Sequence, residues 1–310
     1  MNVTVINEET PVLKLTNIRD KVDLYVKYEG CNIFGSMKER AVRNCLKKAI
    51  ENNRINYETE IIESSSGNMG IALASICNEL GLRFTCVIDP HITPVNRTIL
   101  ETLNANLIMA DKPDANGGFL LSRLEIVRDY VNNNKNVYWI NQYDNFDIIS
   151  GYYSIVDELY KNIKKIDYAF LSVSSGGSIA GISKRIKNLS QRTKVIAVDV
   201  EGSVIFGYPG QKRYIPGAGS SIVANNLKHA IIDDVIIVSE RQAIERCWKY
   251  INEFGLIGGS SGVVLAGIEK YLAEHNIESN INIATIFPDR GERYIDSIYN
   301  KEWCKEHNFI

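Results

Sequence analysis

The chain has 310 residues, with 35 Lys or Arg against 37 Asp or Glu, for a formal net charge of −2. That near balance argues against a nucleic-acid binder, which carries a basic excess. Hydrophobic residues at 45% and charged residues at 23% exclude the disordered and low-complexity classes, and at about 150 residues per domain the length suggests roughly two domains.

In chain order, Asp23–Tyr28 predicts a strand and Met37–Asn52 an amphipathic helix. Thr59–Glu63 predicts a strand and Asn68–Leu80 a helix. Arg83–Ile88 and Ala105–Met109 read as strands, with a helix between them from about Val95. Gly117–Asn132 reads as a helix, followed by a polar loop to Asn136, a short strand at Val137–Ile140 and a helix at Gly151–Ile163. Asp167–Val173, Lys194–Val200 and Asp234–Val238 predict strands, with helices at Ser178–Asn188 and Gln242–Glu253. A helix at Gly262–His275, a strand at Asn282–Phe287 and a helix near Arg293 complete the series. Strands alternating with helices imply an α/β fold whose parallel sheets are covered on both faces. A boundary near Tyr143–Ser150 splits the chain into roughly equal halves.

The six cysteines, Cys31, Cys45, Cys77, Cys86, Cys247 and Cys304, form no C-x-x-C pair and no zinc-like spacing with His. Free thiols in a reducing compartment are expected. The segment MNVTVINEETPVLKL has early acidic residues and no long apolar core, unlike a signal peptide, and no apolar run reaches the roughly 20 residues of a membrane span. The expectation is a soluble cytoplasmic protein. His91, His229, His275 and His307 lie in no metal or triad spacing and read as surface or structural groups.

In open α/β sheets, ligands bind beyond the carboxyl ends of the strands, where helix N-termini point. Three such turns here are rich in Ser and Gly. In Glu63-Ser64-Ser65-Ser66-Gly67-Asn68-Met69-Gly70, hydroxyls and free N–H groups at a helix start suit a carboxylate or phosphate, or simply cap the helix. In Ser174-Ser175-Gly176-Gly177-Ser178-Ile179-Ala180-Gly181, small residues allow an anion nest. Gly176 and Gly181 match the frame of a Walker loop, but Ile182 stands where its Lys belongs. Gly217-Ala218-Gly219 lacks the third glycine of a dinucleotide fingerprint, so nucleotide readings are weak, and a compact phosphate at the second turn is favoured over a plain tight turn. The third turn, Gly258-Gly259-Ser260-Ser261-Gly262, is weak by itself. A fourth segment, Gly35 to Arg40, carries Ser36 and Glu39 at capping-box spacing. That spacing places Lys38 in the first helical turn, where a cation opposes the helix dipole and the neutral amine needed for imine chemistry is favoured. A solvated surface lysine is the commoner fate.

Taken together and in this order, these segments resemble the cysteine synthase/cystathionine β-synthase family of fold-type II pyridoxal-phosphate (PLP) enzymes. The resemblance runs from Glu9-Thr10-Pro11-Val12 to Pro288-Asp289-Arg290-Gly291-Glu292-Arg293-Tyr294. It implies a tryptophan synthase β-like fold of two three-layer αβα domains with mostly parallel sheets. The larger, PLP-binding domain would comprise residues 1–35 and 146–310, and a smaller mobile substrate-binding domain residues 36–145. Lys38, in a K-x-E-x-x-N-x-x-G-S-x-K-[DE]-R context from Lys27 to Arg40, looks like the Schiff-base lysine. Asn68 would hydrogen-bond the PLP ring oxygen. Ser65, Ser66, Met69 through its backbone and Gln142 would hold the substrate α-carboxylate. Ser174, Ser175, Gly176, Gly177 and Ser178 match the phosphate loop, and Ser260 would face the pyridine nitrogen. Asp289 would support the loop on that side. A serine hydroxyl does not keep that nitrogen protonated, so loss of a β-leaving group is favoured over transamination or racemisation, and the resemblance implies β-replacement. The family's dimeric habit implies a homodimer. The sequence departs from the family at Asn32-Ile33-Phe34-Gly35, at the serines of the phosphate loop and at Met69.

Within the family, four stretches set the chain nearer one branch than ordinary cysteine synthases: Asp89–Asn96, residues 113–119, Tyr138–Tyr143 and Gly202–Gly207. That branch joins O-phospho-L-serine to the amine of L-glutamate. A dianionic leaving group and a dicarboxylate nucleophile need cations, for which Arg123 is the first candidate and Lys212 and Arg213 weaker ones. Tyr143 is a candidate to narrow the acceptor channel. A sulfide-using cysteine synthase is the nearest alternative, and a PLP-free binding scaffold an alternative of another class.

Overall fold

The protein is described here from a computed structural model, covering residues 9–114 and 118–310. The elements are β1 (Val12–Arg19), β2 (Val22–Tyr28), α1 (Lys38–Glu51), β3 (Glu60–Ser64), α2 (Asn68–Leu80), β4 (Arg83–Ile88), α3 (Pro94–Thr102), β5 (Asn106–Met109) and α4 (Leu120–Asn133). They continue with β6 (Val137–Trp139), α5 (Phe146–Ser150), α6 (Tyr153–Asn162), β7 (Tyr168–Ser172), α7 (Gly177–Leu189), β8 (Lys194–Val200) and β9 (Asp234–Val238). The series closes with α8 (Glu240–Lys249), α9 (Ile251–Phe254), α10 (Gly259–Glu274), β10 (Ile281–Phe287) and α11 (Lys301–Glu306).

The strands form two sheets, ordered β1-β2-β10-β7-β8-β9 and β5-β4-β3-β6. Every pairing is parallel except β1 with β2. Helices cover the sheets, with α10 against β7–β10 and α2 and α4 against β3 and β4. The architecture is the α/β arrangement of mostly parallel, helix-covered sheets that the alternation of strands and helices implies. Strands such as β4 and β8 are buried on both faces because helices lie on both sides of a parallel sheet. One hydrophobic cluster centres on Leu24, Phe170, Val198, Val264 and Ile283. Another runs from Ala41 and Leu73 through Ile155 to Leu171, so the two sheets share a core.

Three elements escape the sequence pattern: β1, α5 and α11. The helix expected over Gln242–Glu253 instead breaks at Tyr250, which caps both α8 and α9. Ala115–Gly117, at the start of another expected helix and within one branch-specific stretch, lie outside the described residues, as do residues 1–8; α4 begins at Leu120. All six cysteines are free thiols, and only Cys31 is exposed. No helix among the described residues is long and apolar enough to cross a membrane.

Candidate active site

The turns leaving β2, β3, β6, β7 and β10 carry most of the candidate residues, with Ser260 at the start of α10 and Arg123 on α4. Lys38 opens α1, but the expected capping box does not form. The cap residue is Met37, which offers no side-chain bond. Residue 36 pairs with Asp289 in an antiparallel bridge, and the Met37 N–H donates to the Pro288 carbonyl at 2.8 Å. This extended backbone holds Ser36 in the bridge, and its buried hydroxyl has no partner among the described residues. Glu39 instead accepts from the Phe34 N–H at 3.1 Å and from Arg43 Nε at 3.0 Å. Lys38 makes no ion pair or hydrogen bond among the described residues, and its Nζ lies 5.7 Å from the ring centroid of the buried Tyr152.

Tyr152 links the lysine to the second Ser/Gly turn. Gly177 and Gly181 lie close to its side chain, such that a Cβ on Gly177 would come within 3.9 Å of Tyr152 Cε2. Gly176 caps α7 with φ +77, where a Cβ would strike the Leu227 backbone nitrogen at 2.9 Å. Ser174, Ser175 and Ser178 are partly exposed around it. The first N–H groups of α7 have no intrahelical acceptor, as in any helix start. Asn226, which no sequence signal marks, ties this turn to the other sheet: its Nδ2 donates to the Gln142 carbonyl at 2.7 Å and to the Ser175 carbonyl at 3.4 Å.

Asp289 gathers the remaining turns. Its Oδ2 accepts from Asn68 Nδ2 at 2.6 Å and from the Tyr294 hydroxyl. Its backbone carbonyl accepts from the Gly258 N–H at 3.3 Å. Burial pushes the carboxyl pKa up, opposed by Tyr294, Asn68, Arg293 and Lys38. Asn68 Oδ1 in turn accepts from Arg293 Nη1. Arg293 stands in the quoted C-terminal motif, yet the sequence reading gave it no role. Ser260 and Ser261 follow in the first turn of α10, both buried, and the Ser261 hydroxyl has no partner among the described residues.

The first Ser/Gly turn leaves β3. Ser65 Oγ accepts the N–H groups of Gly70 at 3.0 Å and Gly67 at 3.3 Å, so this hydroxyl serves the start of α2. Met69 is buried just inside that helix. Gln142 Nε2 donates to the Ser64 carbonyl at 2.9 Å, and its N–H donates to Glu63 Oε2 at 3.0 Å. Glu63 is a second residue the sequence reading passed over. It is fully buried, and burial pushes its pKa up to about 7 against the opposing bonds of Ser64, Gln142 and Trp139.

Arg123 is no solvated helix-face residue. Its Nη1 donates to Ser66 Oγ at 3.1 Å and pairs with Asp89 Oδ2 at 3.1 Å, while its buried Nε has no partner among the described residues. Tyr143 lies within the electrostatic reach of Arg123 and Glu63, and burial pushes its phenol up to about 12. Of the weaker cations, Arg213 is spent on its own loop, donating to the Gly202 carbonyl and to Ser221 Oγ. Lys212 is exposed and lies 4.8 Å over the Tyr214 ring. The four histidines pack on Phe119, Phe146, Tyr271 and Trp303. No metal-ligating group occurs among the described residues.

A family profile described as pyridoxal-phosphate dependent enzyme matches residues 3–289. Among solved structures, an O-acetylserine dependent cystathionine β-synthase from Helicobacter pylori superposes with a TM-score of 0.86 at 25% identity, covering 94% of this chain and 96% of that one. A hydrogen sulfide-producing enzyme from Fusobacterium nucleatum gives 0.84 at 26% identity, over 92% and 96% of the two chains. Another hydrogen sulfide-producing enzyme, solved with an alpha-aminoacrylate intermediate, gives 0.83 at 27% identity, over 90% and 84%.

Proposed function

The chain belongs to the pyridoxal-phosphate dependent enzymes, and from that premise we propose that it carries out β-replacement on an activated serine, joining O-phospho-L-serine to the amine of L-glutamate with release of phosphate. The product would be N-(2-amino-2-carboxyethyl)-L-glutamate, a precursor of 2,3-diaminopropionate for siderophores and other secondary metabolites. On the same reading residues 36–145 form the smaller, mobile substrate-binding domain, residues 1–35 and 146–310 the larger one, and the protein works as a cytoplasmic homodimer.

The residues present fit the cofactor. The Lys38 amine makes no ion pair or hydrogen bond among the described residues and feels the Asp289 carboxylate only at a distance. The Gly176 turn admits no Cβ, and the buried hydroxyls of Ser36 and Ser261 have no partners among the described residues. Lys38 would hold the cofactor covalently, Ser174–Ser178 and the start of α7 its phosphate, Asn68 its ring oxygen and Ser260 its ring nitrogen.

When bound, pyridoxal phosphate supplies the electron sink that stabilises a carbanion at the substrate Cα. The Lys38 amine would take the Cα proton as general base. Ser65, Ser66, the Met69 N–H and Gln142 hold the α-carboxylate and so orient that C–H bond toward the lysine. Replacement in two half-reactions gives ping-pong kinetics.

The observation that carries the substrate choice is Arg123, a largely buried guanidinium held by the Ser66 hydroxyl and Asp89, whose buried Nε has no partner among the described residues. A phosphate or a second carboxylate needs such a cation. The test incubates purified enzyme with O-phospho-L-serine and either L-glutamate or sulfide and identifies the products. The expected result is phosphate release with glutamate incorporated; product from sulfide alone overturns the assignment. The similarity to sulfide-producing enzymes favours cysteine synthase as the second reading.

A further inference from the structure

We propose that Arg293 and Asp289 are positioning residues that lock the Asn68 amide in one of its two flips, leaving an N–H and never the carbonyl to face the bound ligand. This rests on reading the Lys38 site as the cofactor site.

The two ends of an asparagine amide are almost the same size, so their partners decide which way round the group sits. Here two partners of opposite character agree. Arginine is a donor only, and Arg293 Nη1 is on Asn68 Oδ1. The Asp289 carboxylate accepts Asn68 Nδ2 at 2.6 Å. A flipped amide would set N–H against guanidinium and carbonyl against carboxylate, losing both bonds.

The two partners are themselves fixed. The Tyr294 hydroxyl donates to the same Asp289 oxygen, and Gly258 wedges the other: a Cβ there would lie 1.8 Å from Asp289 Oδ1. The second arm of Arg293 donates to the Phe34 carbonyl at 2.5 Å, in the turn that leads to Lys38. Gly35 stands beside it at φ +74, where a Cβ would come within 3.0 Å of Nη2. One guanidinium thus sets both the Asn68 amide and the approach to the lysine.

Nδ2 carries two hydrogens. Asp289 takes one, and the Tyr294 hydroxyl, itself committed to the same Asp289 oxygen, also lies within reach of the Asn68 amide. The remaining N–H offers a donor alone, so the ligand atom it meets must be an acceptor. For a pyridine ring bearing an oxygen, that selects the ionised oxygen over the hydroxyl.

The experiment loads purified wild-type, Arg293→Met and Arg293→Lys proteins with pyridoxal 5'-phosphate. It records, at one pH, the absorbance bands of the bound cofactor with ionised and neutral ring oxygen, and its dissociation rate on dilution. Arg293→Met is expected to lose intensity from the ionised band and to release cofactor about tenfold faster, the scale of one hydrogen bond to a charged group. Arg293→Lys, which keeps a donor-only head group, is expected to restore the band. A purely structural role for Arg293 would lower the melting temperature without moving the band ratio. Asn68→Asp, with Arg293 intact, removes the donor and is expected to reproduce the Arg293→Met spectrum, which keeps the test open if Arg293→Met does not fold. Wild-type band ratio and release rate in Arg293→Met, or in Asn68→Asp, overturn the proposal. A wild-type protein that binds no pyridoxal phosphate overturns the cofactor-site reading, and the proposal with it.

Discussion

Arg40 grips Glu158 through two bonds, Nη1 to Oε1 at 2.5 Å and Nη2 to Oε2 at 2.8 Å, between side chains only 9% and 8% exposed. Arg40 Nε also pairs with Glu29 at 2.7 Å, and the buried Lys27 reaches Glu158 at 2.6 Å. Two cations and two anions therefore balance two residues along from Lys38, joining α1 to α6 and β2. Removing one partner of a buried pair leaves an uncompensated charge. Arg40→Met is expected to lower the unfolding free energy by about 3–5 kcal/mol, read from the urea midpoint. Burial alone would raise the Glu158 pKa, but hydrogen bonds from Arg40 and Lys27 hold it below the usual 4.5. Its stabilising contribution is present above that value and lost as pH falls through the lowered one. Acid titration should therefore destabilise wild type more steeply than Arg40→Met.

Glu63 has the opposite sign. Burial raises its pKa to about 7 in the folded protein, so between the ordinary carboxylate value and neutrality the folded state binds the extra proton. Stability from this group is full at low pH and declines as pH rises toward 7. Glu63→Gln should flatten that part of the pH–stability curve in denaturant melts, while the slope from Glu158 at lower pH persists.

Gly258 has no room for a methyl group. Its Cβ would fall 1.8 Å from Asp289 Oδ1 and 2.7 Å from Cγ. Gly258→Ala must push the carboxylate off Asn68 and Tyr294. It should cost about 3 kcal/mol of stability, measured by thermal unfolding, and weaken pyridoxal phosphate retention on dialysis.

Arg123→Gln separates the two candidate nucleophiles. Loss of the largely buried cation between Ser66 and Asp89 should raise KM for L-glutamate about tenfold or more. Turnover of O-acetyl-L-serine with sulfide, which brings no second carboxylate, should change little. Equal losses in both assays would show that Arg123 only supports the Ser66 turn.

Lys38→Ala should abolish turnover and the visible band of a lysine-bound cofactor. Wild-type turnover in that variant would refute the catalytic role of the lysine. Tyr152→Leu removes the ring 5.7 Å from Nζ but keeps the amine, and should retain the band with reduced kcat.

The parallel strands were legible because most are short, largely apolar runs, and those of β3 and β7 end in Ser/Gly turns. Strand β1 was not, because Lys14, Thr16 and Asn17 interrupt its apolar residues and its one strand partner among the described residues is antiparallel. The six charged or polar-flanked residues of α11 and the five of α5 are too short to show a helical period. In the site, the order of turns around Lys38 was visible, but partner choice was not. Spacing alone suggests that Ser36 and Glu39 cap one another; the bridge to Asp289, across the length of the chain, decides otherwise. The bond between Asn68 and Arg293 joins residues 225 positions apart, and no local pattern encodes such a separation.

Strand β10 lies between β2 and β7 in the larger sheet, yet it is the last described strand in sequence. As the chain leaves the ribosome, β2 and β7 are made long before the strand that separates them, and each must wait with an unpaired edge. Insertion of β10 delivers Asp289 to the turns of Lys38, Asn68 and Gly258. A nascent chain lacking this strand would therefore have no assembled site to charge with cofactor, and its open strand edges would be the natural target for a chaperone.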